Sequence, residues 1–168
     1  MHKILVLSDT HGKLPINIDS FHADFLIHAG DIGREILNKI DIDLDYTPYI
    51  VRGNTDFDIN NGVPDFITKT IEGVRFFIVH NLSAPHRIIL KNDNLIKTYQ
   101  PDVVIFGHTH KPLIEKKKNI LFFNPGSVGM AGMTGERSYG IINVDKGLIM
   151  SAETFRLSGQ VIDSWLKK

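Results

Sequence analysis

Five times along the chain a short apolar run ends abruptly in polar residues. Residues 4–7 run into Ser8-Asp9-Thr10-His11-Gly12, and residues 25–27 into His28-Ala29-Gly30-Asp31. Residues 49–51 lead to Gly53-Asn54-Thr55-Asp56, residues 76–79 to His80-Asn81, and residues 103–106 to Gly107-His108-Thr109-His110. Continuous aliphatic and aromatic runs of this length predict buried strands. The polar payload then sits at the carboxyl end of each strand, where ligands and catalytic groups collect in open α/β sheets.

Between these runs, residues 14–21 and 33–40 read as short helices. Residues 86–99 read as a longer one, with Pro85 near its start, Pro101 beyond its end, and Ile88, Ile89, Ile96 and Tyr99 as a buried stripe. Residues 66–71 and 74–79 form a hairpin pattern through Glu72-Gly73. After His110 come strand-like segments at 113–115, 120–123, 139–144 and 148–150, with a turn at Asp145-Lys146-Gly147. The order βαβαβ, then hairpins with one late helix, predicts an α/β chain of two packed sheets flanked by helices. With 168 residues and 42% hydrophobic content, one domain spanning 1–168 is expected. Phe76, Phe77, Phe106, Phe122 and Phe123 belong to its core. Asp24 is expected at the surface, and Asp41, Asp43 and Asp45 on an exposed loop or edge. Trp165 either packs the C-terminal tail down or forms a contact surface.

Charge removes some functions. Lys plus Arg equals Asp plus Glu at 19 each, so the chain has no global basic footprint for nucleic acid, and Lys116 to Lys118 reads as a solvated turn. Cysteine is absent, which excludes disulfides, thiolate metal sites and cysteine nucleophiles. The apolar run after Met1-His2-Lys3 is too short for a signal peptide or a membrane span, so a cytoplasmic enzyme is expected.

The polar payloads contain seven oxygen and nitrogen ligands for metal: Asp9, His11, Asp31, Asn54, His80, His108 and His110. Asp9 and His11 are one residue apart, so an extended backbone would turn both to one side, where they can share an ion. Asp31 stands alone in its block and is the natural bridging carboxylate. Such a donor set suits Mn, Fe, Ni, Co or Zn. Two ions about 3.5–4 Å apart would clamp a phosphoryl group and lower the pKa of a bridging water toward ~7. His2, His22, His28 and His86 read as surface or locally hydrogen-bonded histidines, with His28 nearest the site.

Taken together and in this order, the Asp-x-His, Gly-Asp, Gly-Asn, His and Gly-His-x-His blocks resemble the calcineurin-like metallophosphoesterase superfamily, in particular its compact, capless phosphodiesterase branch. The resemblance runs from about residue 3 to about residue 145. It implies an α/β/β/α four-layer sandwich of two mostly mixed sheets flanked by helices, with a dinuclear centre at the strand ends; among the candidate metals manganese is expected. By the same resemblance Asp9, His11 and His110 would hold one ion, Asn54, His80 and His108 the other, and Asp31 would bridge. Asn124-Pro125-Gly126-Ser127 matches a segment beside the family's site, so Asn124, Gly126 and Ser127, with Asn54, are expected near substrate or in support of the metal loops.

Two departures from the family pattern matter. Monoesterases and protein phosphatases of the superfamily carry His directly after Gly-Asn, where it protonates the leaving oxygen; here Thr55 stands there. Asp56 follows, as an acid or as an orienting group. The compact phosphodiesterases also lack that His, which favours diesters. The second departure is Asn81-Leu82 after His80, where Gly and often a second His are usual; Asn is the next best residue for a left-handed turn. The expected activity is therefore metal-dependent hydrolysis of a small phosphodiester, with Asp31, Asn54 and Asp56 in the catalytic machinery. A monoesterase or pyrophosphatase is one alternative. A non-catalytic scaffold is the other, since the superfamily includes a retromer subunit of this fold, but that relative has changed site residues and all seven are competent ligands here. A homodimer is compatible with the short chain.

Overall fold

The computed structural model describes residues 1–43, 48–57, 59, 62–82, 93–131 and 135–167. Its strands are β1 (His2–Leu7), β2 (Phe25–His28), β3 (Tyr49–Ile50), β4 (Phe66–Ile71), β5 (Val74–Val79), β6 (Val103–Ile105), β7 (Leu113–Lys117), β8 (Ile120–Asn124), β9 (Ser138–Asp145), β10 (Leu148–Arg156) and β11 (Val161–Leu166). Two α-helices lie among the described residues, α1 (Arg34–Asp43) and α2 (Asp93–Tyr99). The strands form a six-stranded sheet, β11-β10-β9-β1-β2-β3, and a five-stranded one, β4-β5-β6-β8-β7. Both are mixed. β1 pairs parallel with β2 and antiparallel with β9, while β6 pairs parallel with β5 and β8.

Alternation along the central strands generates the layers. In β1, Ile4 and Val6 join Ile27, Phe76, Ile78, Val103 and Ile105 in a cluster between the sheets. Leu5 and Leu7 point the other way, with Leu26, onto Ile36 and Ile40 of α1. The second sheet does the same: Phe77, Val104 and Phe122 face outward and pack with Leu95 and Ile96 of α2. Helix, sheet, sheet, helix is thus written into which residues of each strand are odd or even. Central strands buried on both faces explain the unbroken apolar runs.

Several local expectations change. Residues 14–21 hold only a 3-10 turn, Asp19–Phe21, because Asn17 accepts the Asp19 N–H on its side chain and the Ser20 hydroxyl on its carbonyl, competing with helix. The 33–40 helix forms but continues to Asp43, so Asp41 and Asp43 close a helix rather than lie on a loop or edge; Asp45 is outside the described residues. Of the 86–99 helix, 93–99 is described and is helical. Ile88, Ile89 and His86 are outside. Tyr99 is 39% exposed, its ring leaning on Phe66 and Phe77 rather than sealed in a stripe. Lys116 and Lys117 end β7, leaving Lys118 in the turn. The C-terminal region is more regular than expected: β10 runs on through Ser151-Ala152-Glu153-Thr154, burying Ala152 and Thr154, and β11 follows. Trp165 packs that last strand onto the inter-sheet cluster.

Candidate metal centre

The loops beyond the strands keep hydrogen bonding after the sheet ends, and this brings the polar blocks together. Asp9 N–H donates to Gly30 O (3.0 Å), His11 N–H to Asp31 O (2.8 Å) and Gly107 N–H to His80 O (3.0 Å). The backbone there is not extended. Asp9, His11, Asp31, His108 and His110 all have positive φ, between 46° and 66°. Asp, Asn and His tolerate this region better than other side chains, yet each still costs of order 1 kcal/mol. The side chains of Asp9 and His11 therefore converge by left-handed turns, not by strand alternation.

All seven expected ligands meet at this end of the sandwich. Asp9 Oδ1 lies 3.2 Å from His110 Nε2 and 4.0 Å from His11 Nε2, and those two imidazole nitrogens are 3.3 Å apart. Asn54 Oδ1 lies 3.0 Å from His80 Nε2 and 2.7 Å from His108 Nδ1. Asp31 Oδ2 stands between the two groups, 3.8 Å from His11 Nε2 and 3.4 Å from His80 Nε2.

A cation fits this arrangement. Asp9 is wholly buried; its Oδ2 receives the Ser8 hydroxyl (2.6 Å) and the His108 N–H (3.1 Å), while its Oδ1 has no hydrogen-bond partner. His110 Nε2 stands 3.2 Å from that oxygen. An orphaned carboxylate oxygen facing converging imidazoles is costly unless positive charge is supplied. Protons supply part of it: contact with Asp9 raises the His110 pKa against burial. Burial lowers that of His80, but Asp31 and Asp9 outweigh it and hold the ring above its usual value. For Asp31, burial pushes upward and is overcome by His80 and the Thr55 N–H, leaving the carboxyl well below the ordinary range.

Other expected site residues take different places. Asp56 is buried, and its carboxylate accepts three backbone N–H groups, from Ile32 (3.2 Å), Gly33 (3.1 Å) and Gly53 (2.8 Å). It ties the Asp31 loop to the Asn54 loop and turns no oxygen outward as an acid would. Asn124 and Ser127 are wholly buried, and their side chains are engaged within the protein. Asn124 donates to Gly107 O and Thr109 Oγ1 and accepts from Gly126 N–H; Ser127 donates to Asp9 O. A side chain at Gly126 would strike Ser138 and Pro112, so this segment is a brace beneath the ligand loops. After His80 the chain does not need a left-handed residue: Asn81 has no positive φ, and Leu82 anchors the turn in the outer apolar cluster.

His28 is not at the surface. Thr10 donates its hydroxyl proton to Ile32 O (2.7 Å), so its oxygen accepts from His28 Nε2–H (3.1 Å), and His28 Nδ1 accepts the Gly30 N–H (3.2 Å). Burial pulls its pKa down to about 4, with Asp9 opposing, so the ring is a neutral strut between two ligand loops. Ser8 and Thr10 were not singled out from sequence; their only signal was adjacency to Asp9.

Residues 2–147 match the calcineurin-like phosphoesterase superfamily domain. A phosphodiesterase of Methanocaldococcus jannaschii is 33% identical over 162 residues, covering 86% of this chain and 94% of that protein. Phosphodiesterase YfcE of Escherichia coli strain K12 is 29% identical over 175 residues, covering 86% and 89%. The crystal structure of a Vps29 single mutant from Entamoeba histolytica matches with a TM-score of 0.76 over 99% of each chain, at 17% identity, which shows the fold alone.

Proposed function

The chain belongs to the calcineurin-like phosphoesterase superfamily, and we propose that its site hydrolyses small phosphodiesters with two divalent metal ions. The observation that carries the reading is the orphaned Asp9 Oδ1 among His11, His110 and Asp31, with a second set, Asn54, His80 and His108, alongside. Asp9, His11 and His110 would hold one ion and Asn54, His80 and His108 the other. Asp31 Oδ2 bridges. Divalent metal bound there would supply Lewis-acid charge and a water acidic enough to react at neutral pH; manganese is the first candidate.

The chain's own groups do the positioning. Asp9 and Asp31 lie buried at the floor, while Asn54, Thr55, His108 and Thr109 are exposed, so substrate approaches from that rim. Asn54 and His108 then meet it from opposite loops. Asp56, spent on three backbone donors, keeps the Asn54 loop against the Asp31 loop rather than moving a proton. Thr55 is a poor acid for an alkoxide leaving group, which supports diesters with better leaving groups over phosphomonoesters. The relatives named as phosphodiesterases support the same reading. Retention of all seven ligands speaks against a purely scaffolding role.

The test is a metal-stripped sample reloaded with Mn, Ni, Mg or Zn and given bis(p-nitrophenyl) phosphate, p-nitrophenyl phosphate and a 2′,3′-cyclic nucleotide. Diester hydrolysis should appear only on reloading and exceed monoester hydrolysis. Equal rates with and without metal would sink the metal reading, and a faster monoester would sink the diester preference.

A further inference from the structure

Thr55 stands where its chemistry looks weakest, yet it touches both the His11 ring and the Asp31 carboxylate. Its backbone N–H donates to Asp31 Oδ1 at 2.7 Å, which leaves Oδ2 turned toward His11 and His80. Its hydroxyl lies 3.4 Å from His11 Nδ1. His11 Nε2 faces Asp9 Oδ1, Asp31 Oδ2 and His110 Nε2, so it is the nitrogen that would meet an ion. An imidazole can ligate through Nε2 only if Nδ1 carries the proton, and that proton needs an acceptor to hold the ring in place.

The comparison with His80 makes the point sharper. There Nδ1 is held at 2.7 Å by a main-chain carbonyl, Ala29 O, which no substitution removes. At His11 the same task falls to a side chain. We propose that Thr55 is a positioning residue: its hydroxyl accepts the His11 Nδ1–H, fixing tautomer and ring for the ion held with Asp9 and His110, while its N–H aims the Asp31 bridge. The inference rests on the metal reading above. It also assigns a use to a residue that the sequence offers only as a missing acid.

Thr55→Val keeps the β-branched shape and the N–H but removes the hydroxyl; Thr55→Ser keeps the hydroxyl. With metal-stripped proteins, Mn2+ binding is titrated by calorimetry and the visible absorption of the Co2+-loaded forms is recorded. Wild type should bind two ions. Thr55→Val should lose about tenfold in affinity for one of them and alter the Co2+ bands, as loss of a ligand's outer partner typically does, and Thr55→Ser should restore both. If wild type binds two ions and Thr55→Val matches it in affinity and spectrum, the positioning role fails while the metal reading stands. Equal losses in Thr55→Val and Thr55→Ser overturn it as well. Failure of wild type to bind any ion overturns both.

Discussion

Acidification from pH 7 to pH 5 should cost the metal-free protein about 2 kcal/mol through a single side chain, His28. The ring is wholly buried, and burial moves its pKa from 6.5 to about 4. As pH falls through 6.5 the unfolded chain takes up a proton that the folded chain refuses until about pH 4. The unfolded state binds more protons across that window, so stability falls with acid there and the loss levels off below it. Each unit of separation is worth about 1.4 kcal/mol, which gives ~3 kcal/mol over the whole window and about 2 kcal/mol by pH 5. In a chain of this size that is a fall in melting temperature of roughly 4–8 °C. The assay is urea unfolding in EDTA of wild type and His28→Gln at both pH values. Gln donates to Thr10 without titrating, and the difference of differences cancels every other ionisable group and the variant's baseline loss. If wild type and His28→Gln lose stability equally between pH 7 and pH 5, the buried neutral strut is wrong.

Other outcomes follow from the same geometry. Asp56→Ala should destabilise by about 3 kcal/mol, since one buried and two part-buried N–H groups lose a charged acceptor; a change under about 1 kcal/mol in denaturant unfolding would contradict the clamp. Gly30→Ala places Cβ 2.7 Å from the His80 ring at a φ of +91° and should cost about 3 kcal/mol together with metal affinity, read by unfolding and calorimetry. Asp31→Asn should lower metal-dependent diester hydrolysis by several orders of magnitude, because groups acting as a unit fail together; retention of a tenth of the wild-type rate would remove Asp31 from its bridging place.

Much of the site was legible because its ligands interrupt apolar runs. A strand buried on both faces disfavours a charged side chain within it, and the buried His28 of β2 is held neutral; Asp9, Asp31, His80 and His108 fall just past the strand ends, and one end of the parallel pairs collects them. The alternation that sends Ile4 and Val6 one way and Leu5 and Leu7 the other likewise determined the two sheets and their helical covers. Local sequence was a poorer guide where side chains compete with the backbone, as Asn17 does in the 14–21 segment.

What tertiary structure alone decided is the direction each polar group faces. The sequence shows Asp56 and Thr55 side by side beside Asn54; only the fold turns the carboxylate of Asp56 inward, onto the Gly53 amide of its own loop and the Ile32 and Gly33 amides of a distant one, and leaves the Thr55 hydroxyl at His11. Asn124 and Ser127 carry the atoms of a substrate site, but their partners, Gly107 O and Asp9 O, lie 17 and 118 residues away in the chain. Composition and spacing determine which chemistry a chain carries and at which end of its strands. Hydrogen bonds between loops far apart in sequence decide which oxygen stays free, because that depends on the donors the fold has already placed around it.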